Sequence, residues 1–153
     1  MTINIKSNVF EYDALIPETH TCDDINVSPP LYWNTIPEHT ISFTIICEDP
    51  DAPMGTFTHW IIFNIPSNVK KLPNGVKKEE RLENGTIQGL NDFGYIGYGG
   101  PCPPEGPEHK YYFRIYALDT TLNLNPGATK EELMNAMWGK VLDEGELMGK
   151  YGR

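Results

Sequence analysis

The sequence predicts a single mainly β domain, an antiparallel β-sandwich with one or two short C-terminal helices. Short runs rich in β-branched and aromatic residues recur between turn signals along the chain. The 14 glycines and 13 prolines indicate many turns between short strands. Helical spacing of apolar residues occurs only in the last quarter of the chain. A length of 153 residues fits one domain, residues 1–153, with its own hydrophobic core.

The predicted strands follow from the period-2 alternation of apolar and polar residues. We expect strands within residues 2–10, 31–33, 41–47, 58–65 and 109–118. Residues 60–63 are apolar on both faces, which indicates a strand covered on both sides. In residues 109–118 the alternation places His109 and Tyr111 on one face and Lys110 on the other. Residues 66–85 are polar and contain Pro and Gly, so they are predicted to form a loop.

The helical region begins at a capping box. Thr129 is the predicted N-cap, and Glu132 lies three residues later, where its side chain can reach back to the cap. Leu133, Met137 and Val141 then follow helical spacing. The acidic stretch at residues 143–146 is predicted to begin a second helix.

Charge and cysteine content narrow the functional classes. The formal net charge of −9 disfavours binding to nucleic acid. Three cysteines, Cys22, Cys47 and Cys102, are an odd number without metal-site spacing, which argues against a disulfide framework and against zinc. Free thiols, no signal-like start and no apolar stretch long enough to cross a bilayer together predict a cytoplasmic protein.

Three segments combine stiff turns with groups that can form hydrogen bonds. The first, residues 49–53, holds two carboxylates on a turn fixed by two prolines, and a charged surface turn is the alternative interpretation. The second contains His59, which by itself is more typical of a core histidine. The third joins the Gly- and Pro-rich residues 99–106 to His109 and Tyr111.

Each of these segments lies at the end of a predicted strand, beside a rigid loop. If the strand ends converge, they form one polar pocket in which the carboxylates orient the imidazoles and favour their protonated form. Protonated imidazoles, a phenol and loop amides are suitable donors for the oxygens of a phosphate-like anion. The pocket residues predicted on this basis are Asp49, Asp51, His59, His109 and Tyr111.

The same segments, taken together, resemble the phosphatidylethanolamine-binding protein family, also called the Raf-kinase-inhibitor-like family. The resemblance begins with Ser-Pro-Pro-Leu-Tyr-Trp at residues 28–33 and continues through Asp-Pro-Asp-Ala-Pro at 49–53 and His-Trp at 59–60. It also includes Gly-Pro-Cys-Pro-Pro at 100–104, His-Lys-Tyr at 109–111, Tyr-Ala-Leu-Asp at 116–119 and the ending Gly-Lys-Tyr-Gly-Arg.

The resemblance implies a β-sandwich that binds phosphate or a phospholipid head group without catalysis, cofactor or metal. On this basis the five pocket residues line the site, and Pro50, Pro101 and Cys102 shape its wall. It also implies that some members modulate a partner kinase or serine protease, and that small members often form homodimers. Residues 66–85 are long enough for an inhibitory loop, although their lysines are more typical of solvated charges.

Two positions depart from the family pattern. Lys110 stands where an Arg is usual, so a bidentate contact specific to Arg would be lost. The spacing from Gly106 to His109 is one residue longer than the commonest form. We therefore expect Glu108 near the pocket entrance, where its negative charge would weaken anion binding.

The alternative function is a hydrolase. It would use Cys102 with His109 as a thiol–imidazole pair, or Asp49, Asp51 and His59 as a metal site. Cys102 lies between two prolines, and no short-spaced metal-ligand motif is present, so binding is the favoured function.

Overall fold

A computed structural model describes all 153 residues. In chain order the elements are β1 (Asn4–Lys6), β2 (Ala14–Leu15), a 3₁₀ helix (Glu18–His20), β3 (Leu31–Asn34), β4 (Ser42–Asp49), β5 (Phe57–Pro66), β6 (Lys71–Leu72), β7 (Ile87–Gln88), β8 (His109–Leu118), α1 (Lys130–Met137) and β9 (Val141–Tyr151). One sheet has the order β1-β3-β6, and the other has the order β2-β9-β8-β4-β5-β7. All pairings are antiparallel except that of β2 with β9.

The main core lies between the two sheets. The smaller sheet contributes Ile5, Leu31 and Trp33, and the larger sheet contributes residues such as Trp60 and Phe113. A second apolar cluster covers the opposite face of the larger sheet, where Ile61 and Phe63 of β5 pack with Leu133 and Met137 of α1. The mainly β prediction is therefore confirmed, and β5 is covered on both faces as its apolar pattern predicts.

The predicted strands are present with different bounds at the chain's beginning. The first strand is only Asn4–Lys6 instead of residues 2–10. Within the predicted 66–85 loop, Lys71 and Leu72 form β6, and Leu72 and Val76 are buried in the main core. The amides of Gly75 and Val76 donate to Ser28, so this segment is anchored to the domain at its middle.

The second helix predicted at residues 143–146 is wrong. These residues lie in β9, which pairs with β8 from His109↔Tyr151 to Leu118↔Val141. Gly145 and Gly149 weaken helix formation here. Gly145 also lies so close to the carbonyl of Ile3 that a Cβ would be 2.0 Å from that oxygen. Pairing along β8 thus overrides the acidic, helix-start-like composition.

One helix, α1, matches its predicted start. Thr129 is the N-cap, its hydroxyl accepts from the Glu132 amide, and the Glu132 carboxylate accepts from the Thr129 amide. Leu133 and Met137 face the second apolar cluster. Trp138 follows the helix and is 87% exposed, so it does not pack on the sheet. No helix in the structure has both the length and the apolar character needed to cross a membrane.

The prediction of free thiols is wrong for two of the three cysteines. Cys22 and Cys102 form a disulfide across 80 residues, with their Cα atoms 5.4 Å apart. Cys47 is the free cysteine, and it is buried. An odd number of cysteines excludes only the case in which every cysteine forms a disulfide. Cys22 and Cys102 meet because the segment after the 3₁₀ helix packs on the Gly- and Pro-rich loop. The thiol argument for a cytosolic location is therefore lost, and that location stays a prediction.

The capping box provides a test of local stability. Replacing Thr129 with Ala removes the hydroxyl that accepts from the Glu132 amide, and we expect a loss of about 1 kcal/mol in the free energy of unfolding. Thr129→Ser is the matched control, because it keeps the hydroxyl. Urea denaturation of the three proteins measures the difference. Equal stability of the Ala and Ser variants would contradict the assigned cap.

Candidate functional site

A small cavity opens at one end of the six-stranded sheet, where β4 ends and β5 and β8 begin. Its volume is about 130 Å³. The cavity is lined by Asp49, Ala52, Pro53, Phe57, His59, Phe93, Cys102, Pro103, Pro104, His109 and Tyr111.

The strand register brings these distant segments together. β4 lies between β5 and β8, and both pairings are antiparallel. The end of β4 therefore lies beside the starts of its two neighbours, with Asp49 opposite Phe57 and Glu48 opposite Tyr112. The predicted convergence of His59 and His109 at one end of the sheet follows from this register.

A β-bulge sets the direction of His59. Along β4, Cys47 and Glu48 are consecutive, but their partners on β5 are Trp60 and Thr58. His59 is therefore an extra residue in β5, and such a residue breaks the strict alternation of side chains. Its ring packs edge-on against Tyr111 with the ring centres 5.3 Å apart. The bulge thus directs His59 toward the face of the sheet that carries Tyr111.

Asp49 and His109 form a buried ion-pair geometry. The His109 Nδ1 lies 2.7 Å from Asp49 Oδ2, and Asp49 Oδ1 accepts from the Asp51 amide at 2.8 Å. Asp49 is only 3% exposed, so both of its oxygens are satisfied within the protein. A carboxylate only accepts, so the Nδ1 of His109 carries a proton. Its Nε2 is the ring nitrogen left for a ligand.

The Nδ1 of His59 is also engaged by a protein oxygen, in this case a neutral backbone carbonyl. Its Nδ1 lies 2.6 Å from the carbonyl oxygen of Gly99, so this nitrogen also carries the proton and Nε2 is left over. Burial lowers the pKa of His59, and the bond to Gly99 and the charge of Asp49 oppose this effect without reversing it. Asp49 favours the protonated form of His59 as expected, but desolvation outweighs this attraction and the pKa of His59 is lowered overall.

Tyr111 presents the third polar group. Its side chain is 1% exposed, and burial raises the pKa of Tyr111 well above its ordinary value, with Asp49 adding to the effect. The phenol is therefore a neutral donor at every physiological pH. Whereas the hydroxyl of Tyr98 donates to the carbonyl of His20, that of Tyr111 is not engaged with any protein group.

Two aromatic residues in the cavity wall are absent from the sequence prediction. Phe57 and Phe93 pack against His59 with ring centres 4.8 and 5.5 Å away, and against each other at 4.7 Å. Phe93 is held in place because Asp92 exchanges two hydrogen bonds with Thr58. The position of Phe57 two residues before His59 was a usable signal, but the loop that carries Phe93 gave none.

The remaining wall is packed against the segment after the 3₁₀ helix. The amide of Gly100 donates to Asn26 at 2.8 Å. A Cβ at Gly100 would lie 2.1 Å from the His20 carbonyl oxygen, so only glycine permits this approach. Pro101 is buried behind the wall, and the Cys22 amide donates to its carbonyl.

The structure separates the predicted site residues into two groups. Asp49, His59, Cys102, His109 and Tyr111 line the cavity. Pro50, Asp51 and Pro101 lie outside it. Pro50 is exposed on the turn, and Asp51 supports the site by donating its amide to Asp49 and accepting from the Lys110 amide at 3.0 Å.

Comparison with known proteins agrees with this geometry. The family model described as Phosphatidylethanolamine-binding protein matches residues 6–152. The chain belongs to the phosphatidylethanolamine-binding protein (PEBP) family. The resemblance seen in the sequence motifs is therefore confirmed.

Two relatives match over most of their length. The chain is 50% identical to a UPF0098 protein of Methanothermobacter thermautotrophicus over 99% of both chains. It is 54% identical to the UPF0098 protein PYRAB11530 of Pyrococcus abyssi, covering 96% of this chain and 84% of that one. None of these names denotes an enzyme.

Solved structures show the same fold. The PEBP homolog CT736 of Chlamydia trachomatis superposes with a TM-score of 0.90 and 38% identity, over 99% of this chain and 97% of that one. E. coli YbcL, described as a new member of the mammalian PEBP family, gives a TM-score of 0.93 and 31% identity over 100% and 99% of the two chains.

The two departures from the family pattern lie away from the cavity. Lys110 is exposed on the opposite face of β8, as predicted. Glu108 does not lie at the entrance. It lines a separate groove with Tyr151, Gly152 and Arg153, because Gly152 packs against it. The expected weakening of anion binding by Glu108 therefore loses its structural basis.

The hydrolase alternatives find little support in the structure. Cys102 is oxidised in the disulfide, so it has no thiolate to act as a nucleophile. No group of three or more His, Cys, Asp or Glu side chains is arranged to hold a metal ion.

The lowered pKa of His59 predicts a pH-dependent stability. The unfolded chain takes up a proton on this imidazole near its ordinary pKa of 6.5, whereas the folded protein resists it. The free energy of unfolding should therefore fall as pH drops below about 6.5. Buried His20, whose pKa is also lowered by burial, adds to the same slope.

Urea denaturation between about pH 5.5 and 7.5, above the range where most carboxylates titrate, measures this slope. His59→Gln should reduce it. His39→Asn is the matched control, because His39 is exposed and Asn tolerates its positive φ of 71°. A slope that is unchanged in the His59→Gln variant would contradict the assignment.

Proposed function

We propose that the cavity binds a small phosphate-like anion or the phosphorylated head group of a lipid. The observation that supports this most strongly is the unengaged hydroxyl of Tyr111 beside two imidazoles. This hydroxyl lines the cavity and donates to no protein group, so the acceptor oxygens of a ligand could take its hydrogen bond. The Nε2 atoms of His59 and His109 provide two further positions for hydrogen bonds.

The cavity volume limits the ligand. A drug-sized ligand occupies a pocket of roughly 300–1,000 Å³, whereas this cavity is about 130 Å³. A water molecule takes up about 30 Å³, so the space suits a group of a few heavy atoms. A phosphate or a short head group meets this limit, and an acyl chain would have to remain outside.

Anion binding in this cavity should be coupled to proton uptake by His59. Asp49 is buried, but its oxygens already accept from His109 and the Asp51 amide, so its charge is partly compensated. Neutral His59 offers an acceptor at Nε2, and it becomes a donor only when it takes up a proton. A dianion in the cavity favours that proton by direct attraction. Binding should therefore strengthen as pH falls.

Membership of the PEBP family supports a binding role of this kind, since the family name refers to a phospholipid. The apolar part of the cavity wall also favours anion binding. The rings of Phe57 and Phe93 exclude water from one side, which strengthens the hydrogen bonds made on the other side. An ammonium in a head group could contact the same rings.

Sulfate is a suitable probe, because it remains a dianion over the neutral pH range. We expect sulfate titration to shift the ring signals of His59 and His109 in NMR spectra. Tyr111→Phe should weaken binding by roughly tenfold, as expected for loss of one hydrogen bond to a charged ligand. Tyr112→Phe is the matched control, because Tyr112 lies on the opposite face beneath Arg114. Equal affinities of the two variants would contradict the role of Tyr111.

The same titration repeated at several pH values tests proton coupling. The sulfate affinity of the wild-type protein should rise from pH 8 to pH 6, since the bound dianion favours the protonated form of buried His59. His59→Gln should reduce this dependence. Binding that is independent of pH, together with unshifted imidazole signals, would place the anion elsewhere on the protein.

A further inference from the structure

The cavity wall formed by Cys102, Pro103 and Pro104 is not part of either sheet. It belongs to the segment between Gly99 and β8, which contains no helix or strand. Behind it, the Cys22 amide donates to the Pro101 carbonyl at 3.1 Å. The Arg153 guanidinium donates to the Pro103 carbonyl at 3.3 Å. The disulfide from Cys102 to Cys22 is the covalent connection between this wall and the segment behind it.

We propose that the Cys22–Cys102 disulfide is a thiol–disulfide exchange site that controls the anion cavity. A dithiol would reduce it, release the wall and weaken anion binding, and reoxidation would restore the cavity. Cys102 is exposed and lines the cavity, so its sulfur is accessible at the site it would control. This inference rests on the proposed function of the cavity.

The dithiol supplies the two electrons that reduction of the disulfide requires. One thiolate of the dithiol attacks the exposed Sγ of Cys102, forms a mixed disulfide there and releases the Cys22 thiolate. The second thiol of the reagent then attacks its own sulfur in the mixed disulfide, closes a cyclic disulfide and releases the Cys102 thiolate. Two electrons pass from the dithiol to the protein. Each released thiolate takes up a proton to the extent that its surroundings allow.

Arg153 distinguishes the two cysteines chemically. Its guanidinium lies 3.8 Å from the Sγ of Cys102, and a cation at this distance favours the thiolate form. A stabilised Cys102 thiolate is a better leaving group in the second step, when the second thiol of the reagent breaks the mixed disulfide. Asp23 holds the guanidinium in place with a contact of 3.1 Å. Cys47 does not compete, because it is fully buried in the core.

Release of the wall should change the cavity more than the fold. The strands of both sheets and most residues of both apolar clusters lie outside the two segments that the disulfide joins. The segment that moves carries three cavity-lining residues, Cys102, Pro103 and Pro104. A binding site whose wall is no longer fixed must order it during binding, and this lowers affinity.

The experiment is sulfate titration of the same protein before and after treatment with dithiothreitol, read from the imidazole NMR signals. We expect affinity on the order of tenfold weaker after reduction, from the loss of a preorganised wall. Far-UV circular dichroism and dispersed amide signals should show that the fold is retained. Reoxidation should restore the original affinity.

Cys22→Ser provides an independent form of the released wall. Cys22 does not line the cavity, so weaker sulfate binding by this variant reports the lost connection and not a lost contact. Cys47→Ala is the matched control for a cysteine outside the disulfide, and it should respond to dithiothreitol as the wild type does. In the reduced protein, iodoacetamide should modify Cys102 first, and Arg153→Gln should slow that reaction.

The outcomes separate this inference from the proposed function. Equal sulfate affinity in the oxidised and reduced proteins overturns control by the disulfide and leaves the anion site intact. Failure of the oxidised protein to bind sulfate overturns both. Unfolding on reduction, or a disulfide that dithiothreitol does not reduce in the folded protein, overturns the exchange site and makes the crosslink a purely structural one.

Discussion

The antiparallel register of β4 between β5 and β8 is the constraint on which the site depends. It places the end of one strand beside the starts of two others. His109 is far from Asp49 and His59 in the sequence, and this pairing, together with the bulge at His59, brings all three to a common cavity. The register itself is fixed by the apolar residues of both faces, since a slip by one residue would move every side chain to the opposite face and disrupt the packing there. The same strand register therefore determines both the packing of the core and the geometry of the site.

Polar groups around the cavity are matched to partners except at three atoms, the Tyr111 hydroxyl and the Nε2 atoms of His59 and His109. Asp49 accepts two hydrogen bonds, and the Nδ1 atoms of His59 and His109 are both engaged. These bonds fix the orientation of each ring, so the two Nε2 atoms are available without further ordering. The hydroxyl of Tyr111 is left over at the same place. A fully satisfied network would describe a structural cluster, whereas this one is incomplete on the side that faces the cavity.

Much of this arrangement could be predicted because it rests on local patterns. The alternation in residues 109–118 identified β8 and the faces of His109 and Lys110, and the capping box identified the start of α1. The bulge at His59 could not be predicted, because it arises from the pairing of β5 with β4. The disulfide, the position of Phe93 and the strand at residues 141–151 likewise depend on contacts between distant segments. The composition of one segment does not show which distant segment it will contact.

The central claim is that one anion lies between the imidazoles and the phenol at the end of β4. Crystals soaked in selenate, a heavier analogue of sulfate, test it directly through the anomalous signal of selenium. The account predicts one selenate in the cavity, with oxygens within about 3 Å of the Tyr111 hydroxyl and of at least one imidazole Nε2. Selenate bound only at surface lysines, with the cavity empty of anomalous signal at saturating concentration, would contradict it.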